Sequence, residues 1–489
     1  KKKSRKKKTA KAPDSPRISL VAAARTRIGA RLRDPWMYII FFTALIVRIA
    51  YLFYLADIPF FDAPTIDAEM YDDRAVNMLG GTLPEKIFYQ APLYSLFLAS
   101  IYFFFGHNFL AVRVIQFLIG SFNCVMVYIV AGKMMGGGDE GPESGKDGAR
   151  REDGPAGKSR GGGESHFSLT HATGPQWASR AAGAGAALYG PMVHYDGELL
   201  RPVLVIFLAL LLLLALLEWM HTQHAAWAAA SGLLLGLSAI TRENILLFAP
   251  VAAAFLFFMS KEKRWVAPAV FAAAALLAVL PVTVRNYIVE DDFVPISPQG
   301  GMNFYIGNSA DSERLTALQP GIEWDKMAFM PRDELGARAK PSQYSNWFFK
   351  KTFSWIARHP GEWLAKLWTK FWLFWAGEEL TPNTDLEYFQ RKIPVLDPLI
   401  FRAWYVWAPF GVLVPLFVLG AAVWGRKDAR WMLLAGFIAT YMLSVILFHV
   451  RARYRLPVAP VMLPFAAWGL VWLVAKARRR EWKPLAAGI

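Results

Sequence analysis

The feature that most constrains this chain is the length of its apolar runs. Val203–Leu217 and Trp404–Trp424 approach or reach the ~20 residues that a helix needs to cross a bilayer. Backbone polar groups find no water in the hydrocarbon core, so such runs fold as helices that satisfy their own hydrogen bonds. Of the 489 residues 55% are hydrophobic and only 19% charged, where a soluble domain carries about a quarter charged. These observations predict an all-α polytopic membrane protein.

The net charge of +16 would suit nucleic acid if it were spread over a folded surface. It is not. Lys1–Lys8 and the arginines from Arg17 to Arg33 run up to the first apolar stretch, and basic residues beside membrane helices mark the cytoplasmic side. Membrane lipid is therefore the expected partner, and nucleic acid is not. A signal peptide is not expected, because the basic region is long and no small-residue cleavage site follows the first apolar stretch. The single cysteine, Cys124, excludes an intrachain disulfide and a thiolate metal site.

About ten transmembrane helices follow from the pattern: Trp36–Ala56, Phe109–Met135, Trp177–Val193, Leu199–Trp219, a hairpin of two around Thr241–Asn244, then Trp265–Val284, Phe401–Trp424, Trp431–Val450 and Pro457–Val474. They divide the chain into a basic cytoplasmic segment (1–35), a transmembrane module (36–284), a long outer and interfacial segment (285–400), C-terminal helices (401–475) and a cytoplasmic tail (476–489). In the first outer loop (57–108), Tyr71, Ala75, Met78 and Leu79 share one helical face opposite Asp72, Asp73 and Asn77, which predicts an interfacial amphipathic helix. Pro92–Phe105 is short for a span and reads as a second interfacial helix. The stretch 136–176 is Gly-rich and charged, and predicts a disordered cytoplasmic loop.

Four polar groups fall on one side of this topology. They are Asp62, Asp67, Glu69, Asp72 and Asp73; Tyr195–Glu198 with Arg201; Arg242–Asn244; and the arginines of Arg451–Pro457. Carboxylates and arginines converging at one end of a bundle fit acid–base chemistry on an anionic ligand. Taken singly, each has a plainer reading: Asp72 and Asp73 as a solvated helix face, arginines as side chains reaching lipid headgroups, Asn303 and Asn308 as turn residues. His194 and His449 are too scattered to form a metal site.

The stretch Asp67-Ala-Glu-Met-Tyr71 with Ala75 and Leu79-Gly-Gly81 resembles the first outer loop of polyprenyl-phosphate-sugar glycosyltransferases, of the protein mannosyltransferase and aminoarabinose transferase type. The likeness continues through Gln90-Ala-Pro-Leu-Tyr94, Arg113 and Gln116, Leu188–Pro191, Gly236–Arg242, Asn303–Asn308 and Arg453–Pro457. It implies the C-type glycosyltransferase fold in a bacterial inner membrane, with an active site on the periplasmic face. A monosaccharide would pass with inversion from a polyprenyl-phosphate donor to a periplasmic acceptor.

The resemblance further implies Asp67, with Glu69 nearby, as catalytic base and Asp196 and Glu198 as supporting acids. Arg455, Arg453, Arg201 and Arg242 would hold the donor phosphate, and Tyr71, Gln90, Asn303 and Asn308 would contact the substrates. No cofactor is implied with certainty, and relatives differ in whether they bind a divalent cation. Two departures stand out. Ala68 replaces the second acid of an Asp-Glu pair, and Gln90-Ala91-Pro92 replaces Glu-Lys-Pro. A transporter or flippase is the alternative from another class, but it should show repeat symmetry or helices broken near the midplane. An O-antigen ligase or polymerase would lack the acidic first loop.

Overall fold

Helix α1 (Pro35–Leu55) begins where the Asp34 carboxylate accepts a hydrogen bond from the Trp36 N–H, satisfying one of the end donors, with proline in the first turn. The computed structural model describes residues 34–82, 86–136, 174–336, 338–378, 386–424 and 428–479. The expected basic segment up to residue 33, nearly all of the expected disordered loop and the tail from residue 480 lie outside the described residues.

The first loop carries the amphipathic helix α2 (Asp67–Leu79) and the short apolar helix α3 (Leu93–Phe105). Helix α4 (Phe109–Met135) starts at Asn108, whose side chain accepts from the Ala111 N–H. The expected third span is broken at Leu188–Tyr189 into α5 (Gly174–Ala187) and α6 (Gly190–Gly197), because Pro191 in the first turn of α6 supplies no N–H to continue the ladder. Helix α7 (Pro202–Thr222) returns. Helix α8 (Ala225–Ala239) and, after a 3-10 turn at Glu243–Phe248, α9 (Ala249–Met259) make the expected hairpin. Helix α10 (Val266–Glu290) runs past its expected end at Val284.

The long segment folds into short helices α11 (Gly300–Asn308), α12 (Ser312–Ala317), α13 (Ile322–Ala328) and α14 (Met330–Leu335). The amphipathic helices α15 (Pro341–Arg358) and α16 (Pro360–Trp375) follow, then α17 (Leu386–Lys392). A hairpin of β1 (Phe401–Ala403) and β2 (Val406–Ala408) pairs Phe401 with Ala408. Helices α18 (Phe410–Val423), α19 (Ala429–Ile446), α20 (Ala452–Arg455) and α21 (Ala459–Arg478) complete the described chain. The helix expected over Phe401–Trp424 is thus corrected: it starts only at Phe410. An apolar run reports burial rather than period. Pro409 would also clash with the preceding turn of a continuous helix.

Among the described residues six segments are long and apolar enough to cross a membrane: α1, α4, α7, α10, α19, and Ala452–Arg478, which joins α20 to α21. Three more of the ten expected spans are shorter apolar helices, α8, Glu243–Met259 and α18, and the tenth is the broken pair α5 and α6. The chain is an all-α polytopic membrane protein. Small residues let the helices touch backbone to backbone: a Cβ at Gly420 of α18 would lie 1.8 Å from the Phe465 carbonyl oxygen of α21.

Polar contacts define two ends of the bundle. At one, Lys133 of α4 pairs with Glu218 of α7 at 2.6 Å, Arg430 donates to the Lys133 carbonyl, and Gln223 accepts from the Lys261 N–H. At the other, Arg113 donates to the Gly197 carbonyl (3.0 Å), Arg201 to the Thr241 carbonyl (3.3 Å), and Asn244 to Ser444 (3.0 Å). The four polar groups picked out in the sequence all gather at this second end.

Candidate active site

Helix α2 presents Asp67 in its first turn, half-buried. The carboxylate is in direct contact with the Arg453 guanidinium of α20, 386 residues away, and accepts from the Gln90 amide at 3.3 Å. Arg453 also reaches the Tyr454 hydroxyl at 3.4 Å, and Arg74 donates to the Gln90 carbonyl. One turn after Asp67, the buried Tyr71 ring lies 5.3 Å from the Arg201 guanidinium. Arg242 stacks on the Tyr454 ring at 3.8 Å. Its guanidinium makes no hydrogen bond among the described residues, and Arg201 uses one N–H on the Thr241 carbonyl.

Around these arginines lie several buried polar atoms without a partner among the described residues: the Tyr71 and Tyr441 hydroxyls, Gln90 Oε1, Asn244 Oδ1, Arg453 Nε and His449 Nδ1. Buried polar atoms in native proteins are ordinarily paired, so such a cluster points to a ligand. Burial, countered by Arg201, pushes the Tyr71 hydroxyl well above its ordinary acidity constant, so it remains a donor. The His449 ring packs against Tyr454 at 5.2 Å. Burial, with Arg451, Arg242, Lys370 and Arg453 around it, holds this imidazole down at about 3 and therefore neutral. One carboxylate thus sits among several guanidinium groups with unused donors, an arrangement suited to a ligand that carries phosphate and a reacting hydroxyl.

The other expected site residues are placed differently. Glu69 is exposed on α2. Asp196, expected as a supporting acid, is buried against Arg48 of α1, which donates to it through Nε at 2.8 Å and a terminal nitrogen at 2.7 Å. Glu198 is half-buried, and its carboxylate has no hydrogen-bond partner among the described residues. Burial pushes it up to about 7 against the pull of Arg113. Both acids are tied to the Asp67 region through Gln116, which donates to the carbonyls of Asp196 and Glu198 and accepts from Tyr94, whose ring meets Tyr71 edge-on at 5.1 Å.

Arg455, expected to hold phosphate, instead caps the end of α16. It donates to the carbonyls of Leu373, Phe374, Ala376, Gly377 and Glu378 and stacks on Phe410. The carbonyls at a helix C-terminus have no partner in their own helix and carry partial negative charge, so a buried guanidinium settles there. Asn308 is fully engaged, donating to Phe304 and Leu447 carbonyls and accepting from Trp363 and Lys370. Asn303 is half-buried on α11 and makes no side-chain hydrogen bond among the described residues.

Arg48 and Tyr454 are not among the site residues expected from the sequence. The signal for Arg48 was available: a lone charge inside an apolar helix faces a partner or a cavity. Tyr454 lay inside the Arg453–Pro457 stretch, but its role as a platform for Arg242 depends on how α20 meets the α8–α9 turn. Among the described residues, no three or more His, Cys, Asp or Glu side chains are grouped to hold a metal ion.

No protein-family model and no curated protein sequence matches the chain. Among solved structures it aligns with the crystal structure of ArnT from Cupriavidus metallidurans bound to undecaprenyl phosphate, at 12% identity over 91% of this chain and 80% of that one. The TM-score is 0.36, a likeness too distant to assign this chain a family or a reaction.

Proposed function

We propose that this protein is a membrane glycosyltransferase that moves a monosaccharide from a polyprenyl-phosphate donor to an acceptor hydroxyl, working at the periplasmic face of a bacterial inner membrane. The observation that carries the reading is Asp67, a half-buried carboxylate set among Arg201, Arg242 and Arg453 where membrane-spanning helices end. A polyprenyl tail stays in lipid beside the helices while its phosphate meets the guanidinium groups.

In this mechanism the acceptor oxygen attacks the anomeric carbon from the face opposite the phosphate, giving inversion. The bond from that carbon to the phosphate oxygen breaks, and its electron pair leaves with the phosphate. The arginines offset the charge that grows there. Asp67 takes the proton of the acceptor hydroxyl, which is otherwise a poor nucleophile.

Asp67→Asn should lower turnover by ~10²–10⁴ while the protein still folds and binds lipid phosphate. Cells lacking the protein should accumulate a polyprenyl-phosphate sugar, read by mass spectrometry of extracted lipids. Normal turnover in Asp67→Asn together with an unchanged lipid profile would exclude this activity.

A further inference from the structure

Both oxygens of the Asp67 carboxylate are occupied. Oδ2 meets Arg453, and Oδ1 accepts from Gln90 Nε2 at 3.3 Å. A carboxylate held against a guanidinium is a weak proton acceptor, because protonation would dismantle a charge pair. The same contact keeps Arg453 from presenting that edge of its fork to an anion. Its neighbours differ: Arg242 lies flat on Tyr454 and Arg201 uses a single N–H on a carbonyl, and neither makes a carboxylate contact among the described residues. Glu243, the other acid near this cluster, bonds Ser297 at 2.5 Å.

The buried surroundings of the pair are incomplete. Among the described residues Arg453 Nε and Gln90 Oε1 have no partners, and the Tyr71 hydroxyl nearby has none. A group carrying several acceptor oxygens would satisfy Arg453 Nε and Tyr71 together, which the single carboxylate does not. In this arrangement base and clamp hold each other, with the donors of Arg453 Nε and Tyr71 beside them.

We propose that the Asp67–Arg453 contact sets the order of binding: the donor phosphate draws Arg453 off Asp67, and only then is Asp67 free to take the acceptor proton. This rests on the reading of the cluster as the donor-phosphate site. Gln90 is a positioning residue in this exchange, since its amide keeps Asp67 in place once Arg453 has left. The donor must bind before the acceptor, and an acceptor that arrives first meets a base already engaged, so no productive complex forms.

The exchange makes a prediction of unusual sign. Removing the charge of Asp67 should strengthen binding of an anionic lipid, because Arg453 no longer has to be taken from a carboxylate. The test uses the full chain in nanodiscs and a short-chain polyprenyl phosphate as the probe, with thermal unfolding run on each variant. Asp67→Asn should bind the probe at least ~10-fold tighter than the unsubstituted protein, the worth of a charged hydrogen bond. Glu243→Gln removes a nearby charge that is not paired with Arg453, and should change affinity by less than about threefold. In the Arg453→Ala background, Asp67→Asn should bring no gain.

Equal or weaker binding by Asp67→Asn, or a gain that persists without Arg453, overturns the exchange but leaves the phosphate site standing. If neither the unsubstituted protein nor Asp67→Asn binds the probe, the functional reading falls and the exchange falls with it.

Discussion

Arg48 of α1 and Asp196 of α6 form a buried ion pair in which two guanidinium nitrogens meet the same carboxylate oxygen at 2.8 and 2.7 Å. Gly120 of α4 closes over it, so near that a Cβ there would lie 2.1 Å from that oxygen. Three helices meet at one charge pair, and a side chain on α4 would push it apart.

Removing one partner leaves a buried charge alone, which costs about 3–5 kcal/mol. Arg48→Ala and Asp196→Asn should each lower the unfolding temperature in detergent strongly, and Gly120→Ala should do the same through its clash. Arg48→Met combined with Asp196→Leu should recover most of the loss. A stable Asp196→Asn that lost turnover would instead place Asp196 in the chemistry.

Arg455 makes a second prediction. Because it caps α16 through five carbonyls, Arg455→Ala should destabilise the protein by about 1.5–3 kcal/mol or more, and Arg455→Lys by less. Protein that remains folded should bind polyprenyl phosphate with unchanged affinity. A large fall in affinity at unchanged stability would return Arg455 to the phosphate site.

Glu198 predicts a pH dependence. Burial raises its folded-state value to about 7 from an ordinary 4.5, so folding favours the protonated form. Its contribution to stability is complete below the ordinary value and is lost as pH rises through about 7. The unfolding temperature should fall between pH 5 and 8 on this account, and Glu198→Gln should flatten that part of the profile. An identical slope in the variant would show that Glu198 is not the group responsible.

Sidedness can be read chemically. Asp62 and Ala310 are exposed at the end that holds Asp67, and Glu262 is exposed at the opposite end. Cys124 is buried and adds little background. Asp62→Cys and Ala310→Cys should react with an impermeant thiol reagent in intact spheroplasts, and Glu262→Cys only after permeabilisation. The reverse pattern would put the site on the cytoplasmic face.

Much of this protein was legible in its residues. Membrane helices announce themselves because each must satisfy its own backbone inside lipid, so α1, α4 and α7 follow from apolar length alone. The gathering of Asp67, Arg201, Arg242 and Arg453 at one end follows from counting crossings, since every crossing reverses the chain. What residue order could not tell was which charge meets which. Asp196 and Arg455 looked like site residues because they are charged and lie at helix ends, yet Asp196 turns inward to Arg48 and Arg455 to the carbonyls closing α16. Such pairings depend on how the helices rotate and how closely they approach, which side-chain packing sets across hundreds of residues. A glycine at 120 and the break just before Gly190-Pro191 bring Arg48 to Asp196, and only the assembled bundle leaves Asp67 facing Arg453.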